Sequence, residues 1–222
     1  MQRGIIGRAR LLAVATAAAV TLVALPAVAS ATVVSAGSGS HTQRESWVRY
    51  ISTFGGTVTA TGSASYSAGS ATVFTDDVLT FAFDRANTTY DLTGRAAGSG
   101  TIALSGGVDY AVPAHYIGVS ISDPRITVAA PTSTATVSAL VSYDPYETSG
   151  PQVVNPTTPT RVDVYTLTLS GTGVFSGTTT RHSWTNAPAR LTADGANAFN
   201  GGVNGSYRAG DLFGLFSFSG TL

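Results

Sequence analysis

The stretch Thr101-Ile102-Ala103-Leu104-Ser105-Gly106-Gly107-Val108-Asp109-Tyr110-Ala111-Val112 decides the fold class. Ile102, Leu104, Gly106, Val108, Tyr110 and Val112 take every second position, with small or polar residues between them. Side chains alternate between the faces of a strand, so this pattern describes a strand with one face in a core. The same period recurs outward in both directions. Val58, Ala60, Gly62, Ala64 and Tyr66 carry it upstream. Downstream, His115, Ile117, Val119 and Ile121 share one face, with Tyr116, Gly118, Ser120 and Ser122 on the other. Ala135, Val137, Ala139, Val141 and Tyr143 follow, and residues 161–171 and 212–222 complete the set. Many such strands, bounded by Gly, Pro, Asp and Ser, predict an all-β antiparallel sandwich or barrel-like domain with one or two short helices.

Only residues 42–54 follow a helical period. Trp47, Tyr50, Ile51 and Phe54 stand at i, i+3, i+4 and i+7 and so share a face. Glu45 suits the first turn, and Gly55-Gly56 suits the end. Residues 144–159 hold four prolines among polar residues and read as a long loop rather than a domain boundary. Residues 32–42, rich in Ser and Gly, read as a flexible leader to a single domain over 43–222.

The N-terminus carries an export pattern. Arg3, Arg8 and Arg10 precede an apolar run over 11–25, and Ala27-Val28-Ala29 and Ala29-Ser30-Ala31 both fit small-residue cleavage sites. The run is short of the roughly 20 residues that a membrane span needs. Residues 1–31 are therefore expected to be a signal peptide. The product is expected to be secreted, extracellular or associated with the cell surface, with no membrane span after cleavage. Removing the three arginines from 12 leaves 9 basic residues against 12 acidic ones, a net charge of −3. That balance argues against a nucleic-acid partner, which needs a concentrated basic face. Cysteine is absent, which excludes disulfides, thiolate metal sites and cysteine nucleophiles.

Catalytic patterns are missing. No G-x-S-x-G elbow occurs, and the acids are scattered apart from Asp76-Asp77, read as a solvated turn. The expectation is a protein that is not an enzyme. Of the three histidines, His41 falls in the leader and His182 in a polar stretch expected to be exposed. His115 lies on an apolar strand face, where an imidazole needs a hydrogen-bond partner or costs stability. On the residues alone it is a satisfied core histidine or part of a site.

Three segments resemble one family. Ser46-Trp47-Val48-Arg49-Tyr50-Ile51 is similar to the S-F-x-x-Y-I signature of the HtaA domain, found in secreted or surface haem binders of actinobacterial iron uptake. The strand 100–110, then His115, then Ile121-Ser122-Asp123-Pro124-Arg125-Ile126 resembles the family's strand, histidine and L-S-D-P-R-I block. Residues 190–199, RLTADGANAF, resemble its L-T-x-x-G-x-x-A-F. The resemblance implies a mostly antiparallel β fold and a secreted protein of haem acquisition. It implies that Tyr50 is the axial ligand of ferric haem iron and that His115 hydrogen-bonds that tyrosine. Tyrosinate is an established kind of haem ligand. The partners implied are haem, with other haem-uptake proteins or host haemoproteins. Arg49 is either a contact for the haem carboxylates or a solvated helix arginine.

The rival reading is a secreted β-sandwich of adhesion or of wall and glycan contact, without a cofactor. Tyr143, Tyr146, Tyr165 and Trp184 would then form an exposed aromatic platform.

Overall fold

The computed structural model describes residues 33–69, 76–91, 99–128, 133–144, 157–170, 181–201 and 205–222. The signal peptide expected at 1–31 and most of the proline-rich loop lie outside the described residues.

Among the described residues, eleven strands and two short α-helices follow one another as β1 (Ala36–Gln43), α1 (Glu45–Thr53), β2 (Thr57–Thr61), β3 (Ser65–Ser67), β4 (Val78–Phe83), β5 (Gly100–Ser105), β6 (Gly107–Val112), β7 (Ile117–Val128), β8 (Thr134–Tyr143), β9 (Thr160–Thr168), β10 (Arg181–Leu191), α2 (Ala193–Phe199) and β11 (Leu212–Thr221). Eight of the strands close in the order β7-β5-β4-β1-β11-β10-β9-β8, with β8 returning to β7, and every pairing is antiparallel. The all-β, barrel-like expectation holds, and closure leaves no free edge in that ring. Eight strands enclose a space that side chains fill. A void of about 10 Å³ remains beside His41, Tyr110, Tyr165 and Phe216, barely room for one water.

The decisive stretch is two strands. Gly106 takes φ +92 between β5 and β6, and opposite it Asp123 takes φ +49 within β7. The Asp123 N–H donates to the Gly106 carbonyl at 2.9 Å, and the Gly106 N–H donates to Asp123 Oδ1 at 3.2 Å. Arg161 Nη1 donates to the Asp123 carbonyl at 3.0 Å from β9. The S-D-P-R block is thus a locked bulge. It bends β7 so that its second half pairs β5 inside the ring, while its first half pairs β6. Strand β2 extends that second wing.

Three expectations are corrected. Residues 36–42 of the supposed flexible leader belong to β1, hydrogen-bonded between β4 and β11. Its glycines serve packing: a Cβ on Gly39 would sit 2.2 Å from Leu104, and one on Gly37 2.6 Å from Phe83. Small residues here mark close approach, not mobility. Asp77 is not in a solvated turn. It is buried, and its carboxylate accepts from the Tyr66 hydroxyl and, at 3.2 Å, from the Gly69 N–H. Tyr165 and Trp184 are buried in the core and Tyr143 is half-buried, so no aromatic platform forms from them; Tyr146 lies outside the described residues.

Candidate functional site

Helix α1 starts three residues later than its period suggests, but it keeps the face that the spacing defines. Trp47 and Ile51 are buried, together with Val48, while Tyr50 is half-buried and Phe54, at the C-cap, is 43% exposed. Gly55 follows at φ +67. The helix therefore anchors on Trp47 and turns Tyr50 toward the end of the barrel.

His115 is not on a strand. Pro113 has no N–H for the ladder, so β6 stops and Pro113–His115 form a single 3₁₀ turn into β7. Tyr116 closes that turn in a left-handed conformation at φ +54, with its N–H on the Pro113 carbonyl at 3.2 Å. A bulky residue there is uncommon, and it marks a turn that the surroundings hold in place. The turn carries His115, half-buried, against α1.

The two candidates meet. The Tyr50 hydroxyl hydrogen-bonds Nδ1 of His115. Phe54 packs on the imidazole at 4.1 Å between ring centroids and on Tyr50 at 4.9 Å. Trp47 lies parallel to Tyr50 at 6.2 Å. Burial raises the Tyr50 phenol above its ordinary value, so by itself the hydroxyl keeps its proton at neutral pH.

A cavity of about 660 Å³ opens beside this pair, within the size range of small-molecule sites. Its walls include Trp47, Phe199, Tyr207, Ile117 and Val119, with His115, Asp144, Asn200 and Ser206 as polar groups. Phe199 comes from α2, which the strand pattern does not reveal. That helix forms because Thr192 caps it, accepting from the Gly195 N–H at 3.0 Å, and because Gly195 lets it lie against β9. A Cβ on Gly195 would stand 2.2 Å from the Val164 carbonyl oxygen. Asn200 then bridges to Tyr207 twice, from Nδ2 to the carbonyl at 2.8 Å and from the Tyr207 N–H to Oδ1 at 3.1 Å. The motif 190–199 thus builds the far wall. Asp144, Asn200 and Tyr207 were invisible as site residues in sequence; only the L-T-x-x-G pattern pointed to this region.

Arg49 is paired with Glu45 on the exposed face of α1 and does not line the cavity. His182, expected to be exposed, is fully buried, and its Nδ1 bonds the Tyr90 hydroxyl at 2.7 Å. His41 is likewise buried, in the barrel core. Among the described residues a hydrogen-bonded tyrosine–histidine pair therefore occurs twice, and of the two the Tyr50–His115 pair borders the 660 Å³ cavity. Among the described residues no cluster of three His, Cys, Asp or Glu could hold a metal ion, and no helix is long and apolar enough to cross a membrane.

Fold and site together define a closed antiparallel β-barrel protein with a cavity at one end, bordered by a hydrogen-bonded tyrosine and histidine. The chain belongs to the HtaA family, whose model (Htaa) matches residues 42–219. Three solved structures from Corynebacterium glutamicum share the fold. The N-terminal domain of HtaA matches with a TM-score of 0.62 and 20% identity over 86% of this chain and 98% of that one. The C-terminal domain of HtaA gives 0.60 and 18% over 86% and 99%. The heme binding protein HtaB gives 0.60 and 13% over 84% and 94%. At these identities the likeness is one of fold. No curated protein matches the chain at a significant level.

Proposed function

We propose that this chain is an exported haem-binding protein of haem acquisition that takes ferric haem into the end cavity with Tyr50 as axial ligand. It is a binding protein and not an enzyme on this reading, exported through residues 1–31. The observation that carries the reading is the hydrogen bond between Tyr50 and His115 at the border of an aromatic-walled cavity. The donor set fits the group: one phenol oxygen, an imidazole positioned on it, and flat apolar walls.

Bound haem supplies a ferric centre whose positive charge favours the phenolate form of the ligand. Tyr50 offers that oxygen, and its proton can leave along the hydrogen bond to His115 Nδ1 or to water. The imidazole then steadies the anion, since hydrogen bonds to charged groups contribute about 1.5–3 kcal/mol. Trp47 holds the phenol ring from behind, and Phe54 covers one face of the imidazole. The membership in the HtaA family and the fold shared with HtaB support the same reading.

Spectral titration of purified protein with haemin tests it. A Soret band that shifts and saturates near one equivalent is expected. Tyr50→Phe keeps the ring and deletes the oxygen, so specific coordination should vanish while the melting curve persists. His115→Ala should weaken binding by roughly ten- to a hundredfold and shift the phenolate charge-transfer band. Undiminished coordination in Tyr50→Phe refutes the ligand assignment.

A further inference from the structure

The turn that carries His115 ends on an unusual residue. Val112 of β6 pairs with Ile117 of β7, so Pro113, Ala114, His115 and Tyr116 make the whole reversal. Tyr116 closes it in the left-handed region at φ +54. Glycine and asparagine are the ordinary occupants of such a position, because larger side chains crowd the backbone there. Two other non-glycine residues among those described take a left-handed φ, Asp123 and Asn186. Both are of the short polar type that tolerates it. Of the three, only Tyr116 sets a large ring there.

Burial in the fold does not account for that ring. Tyr116 is 46% exposed, and with Phe54 and Leu212 it is one of three large apolar side chains exposed among the described residues. Tyr116 lines the end cavity and, being exposed, stands at its rim. Phe54 stacks on the His115 imidazole at 4.1 Å, and Tyr116 follows His115 in the chain, so two of the three exposed apolar side chains gather at the histidine of the proposed site. The inner aromatic walls are fixed by contrast: Trp47, Phe199 and Tyr207 pack edge to face on one another. A bulky residue kept in a disfavoured conformation beside a cavity points to a demand made by the ligand rather than by packing.

Resting on the haem reading above, we infer that Tyr116 is the retaining lip of the cavity: its ring lies against the outer part of the bound tetrapyrrole and slows the ligand's departure, and the left-handed turn places it there. The contact is ring on ring. It concerns the macrocycle and needs neither the iron nor the hydroxyl of Tyr116. Tyr116 differs in this from Tyr50, which offers the ligating oxygen, and from His115, which holds that oxygen. A contact made with the seated ligand acts chiefly on the dissociation rate.

The test loads haemin onto the purified protein and times its transfer to an excess of apo-globin. Tyr116→Gly removes the ring and suits the left-handed backbone, and Tyr116→Asn does the same while keeping a side chain. Both should release haemin about five- to twentyfold faster than the wild type. The phenolate charge-transfer band should stay in place, and the melting temperature of the ligand-free protein should be unchanged or raised. Tyr116→Phe keeps the ring and should release haemin within about twofold of the wild-type rate. Wild-type release from the Gly and Asn variants overturns the inference. A melting temperature more than about 4 °C lower in both makes the ring part of the fold and overturns it too. So does a shifted charge-transfer band in both, which would mean an effect through His115, or a Tyr116→Phe variant that releases haemin as fast as Tyr116→Gly. Failure of the wild type to bind haemin instead overturns the haem reading, so the two failures are separate.

Discussion

His41 makes the barrel acid-sensitive by an amount that the structure sets. The imidazole is fully buried, stacked on Phe216 at 4.7 Å and 13°, beside Tyr165 at 5.2 Å. Desolvation by burial lowers its pKa from 6.5 to about 4, against a smaller opposing effect from a hydrogen bond to the Phe213 backbone. In the unfolded chain the same group titrates near ~6.5. Between those values the unfolded chain binds the extra proton, so stability is complete above pH ~6.5 and is lost as the pH falls toward 4. At pH ~4.5 the loss is roughly 2.5 kcal/mol. In a domain of this size that corresponds to roughly 5–10 °C of melting temperature. The perturbation is His41→Phe, which keeps a flat ring between Phe216 and Tyr165 and removes the titration. Melting temperatures of the wild type and the variant are measured from pH ~7.5 to ~4.5. A packing change shifts the two curves by a constant, so the readout is the difference in acid slope. The variant should lose the His41 share and keep that of His182, whose pKa is also lowered by burial. Equal slopes in the two proteins would refute the account.

Other outcomes follow from the walls of the cavity. Thr192→Ala removes the side-chain cap of α2 and should lower stability by about 1 kcal/mol in denaturant titration. Gly195→Ala forces a methyl to within contact of the Val164 carbonyl and should cost about 1–3 kcal/mol, with the fluorescence environment of Trp47 changing as Phe199 shifts. Asp123→Ala removes the carboxylate that accepts from Gly106 and penalises a left-handed position, so a loss of about 1–3 kcal/mol is expected in denaturant titration.

The sequence was legible where one physical demand acted alone. Strand β8 alternates from Ala135 to Tyr143 because one face meets the core, and its limits are those that the period predicts. Helix α1 shows its face for the same reason. Legibility fails where a second demand overrides the first. In β1 the core-facing positions include Gly39 because Leu104 fills the space, so a central strand reads as a leader. In β10 the alternation breaks at a bulge around Asn186, at φ +55, and His182 looks polar while packing against Tyr90 and Trp184. In the 3₁₀ turn, Pro113 ends a strand that the apolar pattern would carry straight through His115. Tyr50 and His115 could be paired only through the resemblance, because they stand 65 positions apart in sequence. Asp144, Asn200 and Tyr207 belong to no periodic pattern at all.

The position of the cavity follows from the closure of the barrel. An eight-stranded ring whose inward side chains include Phe81, Tyr165 and Phe216, with Tyr110 of β6 packed beside them, has no interior left for a ligand. A site must then be built from parts that leave the ring: α1 before β2, the turn between β6 and β7, and α2 before β11. The locked bulge at Gly106 and Asp123 is what frees β6 from the ring and so carries the His115 turn out to meet Tyr50. The same arrangement separates two kinds of tyrosine–histidine pair. Tyr90–His182 is enclosed by Trp184 and serves the core, where a buried imidazole must have a partner. Tyr50–His115 is half-buried beside 660 Å³ of accessible space, where its oxygen can exchange one partner for another. If location decides the difference, Tyr90→Phe should lower the melting temperature and leave haemin titration unchanged, whereas Tyr50→Phe should do the reverse. Loss of haemin binding in Tyr90→Phe, at a temperature where that variant is folded, would show that the second pair is not merely structural.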